Sequence, residues 1–246
     1  GYKIMYNFFV TDEQIKDNKV TIKGGDYNHI ANVLRMKEKD RFFVCNKDNA
    51  SSYLVEIQNI DKNEVICKII SENESSESKV NITIFQGIPK TDKMEIIIQK
   101  AVELGVSNIY PVAMKNCVGR IKDENKKISR WQTISEASAK QSKRNIVPKI
   151  ENQINIQELC KKIKEYDLSI LAYENEKTLN LRQLLKKNKN INNLAIIIGP
   201  EGGFDEKEVT ELENAGAISC SIGKRILRCE TASIALLSMI MYEFEF

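Results

Sequence analysis

The chain has little that would support metal or redox chemistry. Its only histidine is His29, and its six cysteines, at 45, 67, 117, 160, 220 and 229, include no CxxC pair. Zinc-ligand spacing is therefore absent, and the thiols read as reduced, buried packing groups. No apolar run approaches the roughly 20 residues that a membrane helix needs. No basic segment leads into an apolar core near the start, so no secretory signal is expected, and a cytoplasmic location is. Gly1 to Ile4 precede Met5, and the sequence leaves open whether they are native. Charge of one sign is also scarce. A net charge of +3, with a pI near 8.4, permits a nucleic-acid partner without requiring one. Nucleotide fingerprints are missing too. There is no GxGxxG, and Gly223-Lys224 lacks both the glycine five residues earlier and the Ser/Thr that complete a P-loop.

What remains is a chain of 246 residues, 42% hydrophobic, enough for one large domain or two ordinary ones. The polar run Ser71-Glu72-Asn73-Glu74-Ser75-Ser76-Glu77-Ser78 carries no apolar anchor and reads as a linker. The expected division is 1–74 and 75–246. Before it, Phe42–Cys45, Tyr53–Ile57 and Val65–Ile70 are short β-branched and aromatic runs separated by turn residues, the pattern of a small barrel. One helix is expected over Asp26–Arg35. After it, strands alternate with helices: strands at 80–88, 109–112, 168–172, 195–198 and 219–222, helices at 92–104, 129–143, 179–186, 205–215 and 231–242. Asp92 with Glu95, and Asp205 with Glu208, are spaced as capping pairs, and Gly105 as a stop. This alternation implies an α/β domain with a mostly parallel sheet. The last helix is apolar nearly all round, which predicts burial on more than one side and a subunit interface.

Two segments carry the chemistry. Ile196-Ile197-Ile198-Gly199-Pro200-Glu201-Gly202-Gly203-Phe204 is an apolar strand emptying into a glycine-rich loop with one carboxylate. Ile222-Gly223-Lys224-Arg225-Ile226-Leu227-Arg228-Cys229-Glu230-Thr231-Ala232 brings cations, a carboxylate and a hydroxyl to the start of a helix. Loops at the carboxyl ends of strands are where open α/β sheets hold ligands, and glycines let backbone approach them. A tight strand-to-helix turn explains the same glycines, and a helix cap the same Thr231. Arginine offers bidentate donors to phosphate or a base edge. Cys229 has no histidine partner and reads as packing. In the helix over 129–143, Trp131, Ile134, Ala137 and Ser138 form an apolar stripe that continues onto Gln141, with Arg144 beyond. His29, Arg35, Lys37 and Lys39 can form an RNA-facing patch, with Tyr27, Phe8 and Phe9 available to stack bases or to fill the barrel.

Six segments in this order resemble the RsmE family, SPOUT-class methyltransferases that modify N3 of a uridine in small-subunit (16S) ribosomal RNA. They are His29–Arg35, Lys90–Gly105, Glu136–Arg144 with Val147-Pro148, Ala172–Glu174, Gly199–Phe204 and Arg225–Ala232. The resemblance implies an N-terminal PUA-like β-barrel and a C-terminal SPOUT domain with a parallel sheet and a trefoil knot. A knot is not something spacing reveals, since knots are nearly absent from folds. It also implies a homodimer and bound S-adenosylmethionine. The implied cofactor residues are Leu171, Ala172, Tyr173, Glu174, Ile198, Gly199, Pro200, Glu201, Gly202, Gly203, Ile222, Gly223, Ile226, Leu227, Arg228, Cys229, Thr231 and Ala232. The implied RNA contacts are His29, Arg35, Lys90, Lys93, Gln141 and Arg144. Arg228 or Arg144 would offset charge on the uracil oxygens, with Glu201, Glu230 and solvent as the possible proton acceptors. The chain departs from the family at Asn7, where an arginine is usual, at Lys224, usually proline, and at Cys229, usually threonine or alanine. The rival readings are ribose 2′-O methylation, uracil C5 methylation through a cysteine, and a noncatalytic RNA-binding assembly factor.

Overall fold

The computed structural model describes residues 6–119 and 121–245. Gly1–Ile4 lie outside them. The chain divides into two compact units, one of residues 1–77 with 139–147, the other of 78–138 with 148–246.

The first unit carries β1 (Asn7–Val10), β2 (Ile15–Lys16), β3 (Lys19–Lys23), helix α1 (Gly24–Asn28), β4 (Arg41–Asn46), β5 (Ser52–Ile60) and β6 (Glu64–Asn73). The expected helix over 26–35 begins two residues earlier and changes character midway, its second half, His29–Val33, being a π-helix. The strands form one sheet in the order β1-β4-β5-β6-β3-β2, antiparallel except for β1 beside β4. Alternate residues point into a single core of Phe8, Val10, Val20, Ile22, Ile30, Phe42, Val44, Val55, Ile57 and Val65. The run expected to be a linker begins as strand. Ser71, Glu72 and Asn73 pair with Leu54, Tyr53 and Ser52 across a bulge between Leu54 and Val55. Cross-strand backbone bonds, invisible in the composition of the segment, decide its conformation. The polar residues simply face outward.

The second unit begins with β7 (Asn81–Gly87), α2 (Thr91–Glu103) and β8 (Asn108–Ala113). It continues with α3 (Glu124–Gln141, whose last residues group with the first unit), β9 (Lys149–Ile150), β10 (Ile154–Asn155), α4 (Ile156–Lys162), β11 (Leu168–Ala172) and α5 (Leu181–Lys187). It closes with β12 (Asn193–Ile198), α6 (Glu206–Asn214), β13 (Ile218–Cys220) and α7 (Cys229–Glu245). The sheet runs β10-β8-β7-β12-β11-β13, with β9 also on β8, and every pairing is parallel. Both faces are covered, so β12 is a continuous apolar run rather than an alternating one. Ala195 and Ile197 join Phe85, Val112, Leu159, Val209 and Leu212 in one core, under α4 and α6. α2 and α7 pack together, α7 also against β12.

Several local expectations change in the structure. Lys90, not Asp92, precedes α2, without a side-chain cap. Asp205 does cap α6, accepting from Lys207 N–H, but Glu208 instead accepts from the Lys115 backbone N–H at 2.8 Å. Thr231 lies inside α7 rather than at its cap. On α3 the buried residues are Trp131, Ser135, Ser138 and Ala139, while Ala137 and Gln141 face solvent. α4 carried a signal that the sequence reading passed over, a capping box in which Asn155 and Glu158 bond reciprocally. Gly105 ends α2 with φ +91°, the left-handed turn that glycine takes without strain. α7 buries Cys229, Ala232, Ser233, Leu236, Leu237 and Ile240 along one stripe within the chain and leaves Met239 and Tyr242 exposed. Among the described residues no helix is long and apolar enough to cross a membrane, and no group of His, Cys, Asp or Glu is placed to hold a metal ion.

Candidate active site

The strand order places the carboxyl ends of β12, β11 and β13 side by side, and the chain leaves each through a loop. These three loops line a cleft of about 400 Å³. Ala172, Tyr173 and Glu174 follow β11, Ile198 to Glu201 with Gly203 and Phe204 follow β12, and Ser221 to Cys229 follow β13. Lys93 of α2 and Ala232 of α7 complete it. Pockets of this size suit a single small ligand.

Backbone holds the glycine loop in place. Gln86, fully buried at the end of β7, donates to Gly87 O at 3.0 Å and Gly199 O at 3.4 Å. Its Oε1 accepts from Ser233 Oγ of α7 at 2.7 Å. One amide thus ties the start of the loop to the last helix. Space there is tight. A Cβ on Gly87 would come within 2.7 Å of the Pro200 backbone nitrogen, and one on Gly202 within 2.7 Å of Asn116 O. Phe204 folds back over Gly199 and meets Tyr173 edge-on, with ring centroids 6.3 Å apart.

Charge in the cleft is arranged around Lys93. Its Nζ lies 3.4 Å from Glu201 Oε1 and 3.3 Å from Glu230 Oε2. Glu201 Oε1 also accepts the Lys90 backbone N–H at 3.0 Å, while its Oε2 is buried with no hydrogen-bond partner. Burial pushes the Glu201 carboxyl up, but the Lys90 N–H, its own N–H and the Lys93 ammonium outweigh it, and the group ends below its ordinary value. Glu230 is likewise pushed up by burial and held low by its own N–H, the Cys229 thiol and Lys93. Burial, reinforced by Glu230, pushes the Cys229 thiol up to about 12, so no nucleophilic thiolate is present at neutral pH.

The structure brings together most of the residues expected to bind a cofactor and leaves out three. Leu171 is fully buried in the core beneath the cleft, and Gly202 and Thr231 do not line it. Phe204 and Ser221 line it and were not expected. Both flank expected segments by one residue, and only the folding of the loops shows that they face inward. Of the residues expected to act in catalysis, Arg228 and Glu201 line the cleft, and Glu230 reaches its edge through Lys93. Arg144 does not. Its guanidinium is buried in the first unit and paired with Glu77, Nε to Oε2 at 3.1 Å, while Glu77 also accepts the Asn145 and Ile146 backbone N–H groups. The polar end of the α3 segment therefore satisfies a partly buried carboxylate.

Among the residues expected to meet RNA, His29 and Arg35 are exposed on the first unit, His29 edge-on to Phe8 with centroids 5.8 Å apart. Arg35 takes φ +51°. Lys90 and Gln141 are exposed, whereas Lys93 is committed to the two carboxylates. Phe8 and Phe9 are buried, so neither is available to stack a base, and Tyr27 packs on the same core. Asn7 donates to Arg144 O at 3.1 Å and accepts from Cys45 Sγ at 3.3 Å, an inward-facing role within the fold.

Comparison with known proteins agrees with this geometry. Residues 76–241 match the RNA methyltransferase domain family and residues 22–70 the RNA methyltransferase PUA domain family. The chain is 40% identical to the ribosomal RNA small subunit methyltransferase E of Mesomycoplasma hyopneumoniae, over 95% of this chain and 98% of that one. It is 34% identical to the protein of that name in Bacillus subtilis, over 98% of each. The crystal structure of the Neisseria gonorrhoeae ribosomal RNA small subunit methyltransferase E bound to S-adenosyl methionine superposes with a TM-score of 0.84, at 28% identity over 97% of each chain. The two family matches, one on the parallel α/β sheet with its cleft at three adjacent strand ends and one on the preceding PUA-type sheet, place the chain among the RNA methyltransferases. Within that class it belongs to the ribosomal RNA small subunit methyltransferase E family.

Proposed function

We propose that this chain transfers a methyl group from S-adenosylmethionine to N3 of a uridine in small-subunit ribosomal RNA. The observation that carries the reading is the cleft at the ends of β12, β11 and β13, lined by glycine backbone and by Lys224, Arg225 and Arg228. The cleft fits the donor. Its apolar lining by Ile198, Leu227 and Phe204 suits an adenine face, and the Gly199 and Gly203 backbone lets a ligand approach closely. Ala172–Glu174, Ile198–Glu201, Gly203, Phe204, Ser221–Gly223 and Ile226–Cys229 would hold it. When bound, S-adenosylmethionine supplies an electrophilic methyl group on a positively charged sulfur.

The chain's own task is mostly positioning. Loss of the N3 proton places negative charge on N3 and the flanking carbonyl oxygens, and that charge is consumed as the new N–C bond forms and the sulfur–methyl bond breaks to leave a neutral thioether. Arg228, exposed on the cleft wall, offsets that charge. Glu201 and Glu230 are held ionised and below the ordinary carboxylate range. They are therefore weak bases, and the proton ends in bulk solvent. The target base must be unpaired or flipped to enter. His29 and Arg35 of the first unit, and Lys90 and Gln141, provide RNA contacts outside the cleft. A homodimer through α7 would cover Met239 and Tyr242, which the isolated chain leaves exposed. A trefoil knot formed by the segments after β12 and β13, an activity in the cytoplasm, and a functional division near residue 75 belong to the same reading. The test is mass spectrometry of small-subunit ribosomal RNA from cells lacking the gene. Loss of one N3-methyluridine is expected. Persistence of every such residue sinks the proposal.

A further inference from the structure

Lys93 belongs to a segment that sequence reasoning assigned to RNA, yet it spends its charge inside the cleft. Three separate pieces of chain meet at its ammonium: the start of α2, the glycine loop through Glu201, and the first turn of α7 through Glu230. The group is partly sheltered. The Lys93 side chain is 26% exposed and its partners 19% and 17%, so screening by water is weaker than at a surface pair. One cation faces two anions, and the remaining Glu201 oxygen is buried without a partner. The other titratable groups close by are the Cys229 thiol, 3.3 Å from Glu230 Oε2, and the Cys117 thiol, which feels both Glu201 and Glu208. Burial pushes both thiols upward, so neither titrates in the acid range.

We propose that Lys93 is a positioning residue. It clamps Glu201 and Glu230 as an ionised pair, fixes the glycine loop against α7, and so keeps that wall of the methyl-donor cleft in place. Without the ammonium both carboxylates lose their shared counter-charge, and each takes up a proton more readily as pH falls. Only the last step of this inference rests on the methyl-donor reading.

The experiment uses the full chain as wild type, Lys93→Met and Lys93→Arg, each shown to be folded by its thermal transition. Carboxyl-carbon NMR of the ligand-free protein follows Glu201 and Glu230 from pH 7 downward. Lys93→Met is expected to raise the midpoint of at least one by about one unit or more, and Lys93→Arg to restore it. Calorimetric titration with S-adenosylmethionine then reads binding at pH 8 and pH 5.5. Lys93→Met is expected to lose about twofold in affinity between those values, and more if its carboxyl midpoint rises above about pH 5.5, while wild type and Lys93→Arg stay nearly flat. Carboxylates that titrate in Lys93→Met as they do in wild type would overturn the clamp. So would an affinity loss equal at both pH values and not rescued by arginine. If the carboxylate shift appears but wild type binds no S-adenosylmethionine, the clamp stands and the methyl-donor reading falls.

Discussion

Ser233→Ala isolates the bond that joins α7 to the glycine loop. Ser233 and Gln86 are 1% and 0% exposed, and their side chains meet at 2.7 Å. Ser233 Oγ also lies 2.9 Å from Cys229 O, a local bond that the helix does not need. Removing the hydroxyl creates almost no cavity, but it strands Gln86 Oε1 in a site with no water-facing route. Stranding a buried acceptor costs about 1–3 kcal/mol, more than the net value of the bond itself. The expected result is a lower urea midpoint with an unchanged slope, since the surface exposed on unfolding is the same. Because Gln86 also holds the Gly199 carbonyl, S-adenosylmethionine affinity should fall with it. Gln86→Met removes the stranded oxygen, so the double variant should be less than additive, by about 1 kcal/mol. A Ser233→Ala protein within about 0.5 kcal/mol of wild type, or a strictly additive cycle, would refute the reasoning.

Four further outcomes are expected. Arg228→Ala should lower kcat for methyl transfer by roughly 10²-fold, the scale of losing one charge-stabilising donor, and calorimetry should find a smaller loss of S-adenosylmethionine affinity. Cys229→Ala should retain most of that activity in a radiolabel transfer assay, because the thiol, pushed up to about 12, supplies no nucleophile. Arg144→Ala should destabilise the first unit by roughly 3 kcal/mol, as expected when one partner of a buried ion pair is removed, with cofactor binding intact by calorimetry. Glu176, in the loop after β11, accepts from Thr178 and Leu179, and these bonds lower its carboxyl from 4.5 to about 2. A depressed folded value means that the stabilisation is complete above the unfolded value and lost as pH falls through the folded one. The thermal midpoints of wild type and Glu176→Ala should therefore differ above about pH 4.5 and converge towards pH 2.

Most of the second unit was legible in the sequence. β11 falls on its expected residues, and α2 within one residue of its expected limits, because apolar periodicity and Gly105 mark them locally. The first unit was less legible. β1, β2 and β3 were not anticipated, since short strands owe their existence to partners far along the chain. The same cause turned Ser71–Asn73 from linker into strand. In the cleft, Gly199–Gly203 and Ile222–Cys229 stood out as candidate ligand loops, but their residues fitted a tight turn and a helix cap equally well until the strand ends were seen to lie together. Leu171 was not separable from its neighbours, because a one-residue step along a strand reverses the face it presents.

The sequence by itself determined the two kinds of secondary structure, the parallel character of the second sheet, the family, and the two loops that carry the chemistry. All of these depend on residue type and short spacing. Only the tertiary structure decided which charges meet. Lys93 lies 108 residues from Glu201 and 137 from Glu230, and one ammonium serves both. Arg144 and Glu77, 67 residues apart, neutralise one another within the first unit. Electrostatic partners are set by through-space distance and burial, and a linear pattern encodes neither until the sheet order β12-β11-β13 brings the loops together.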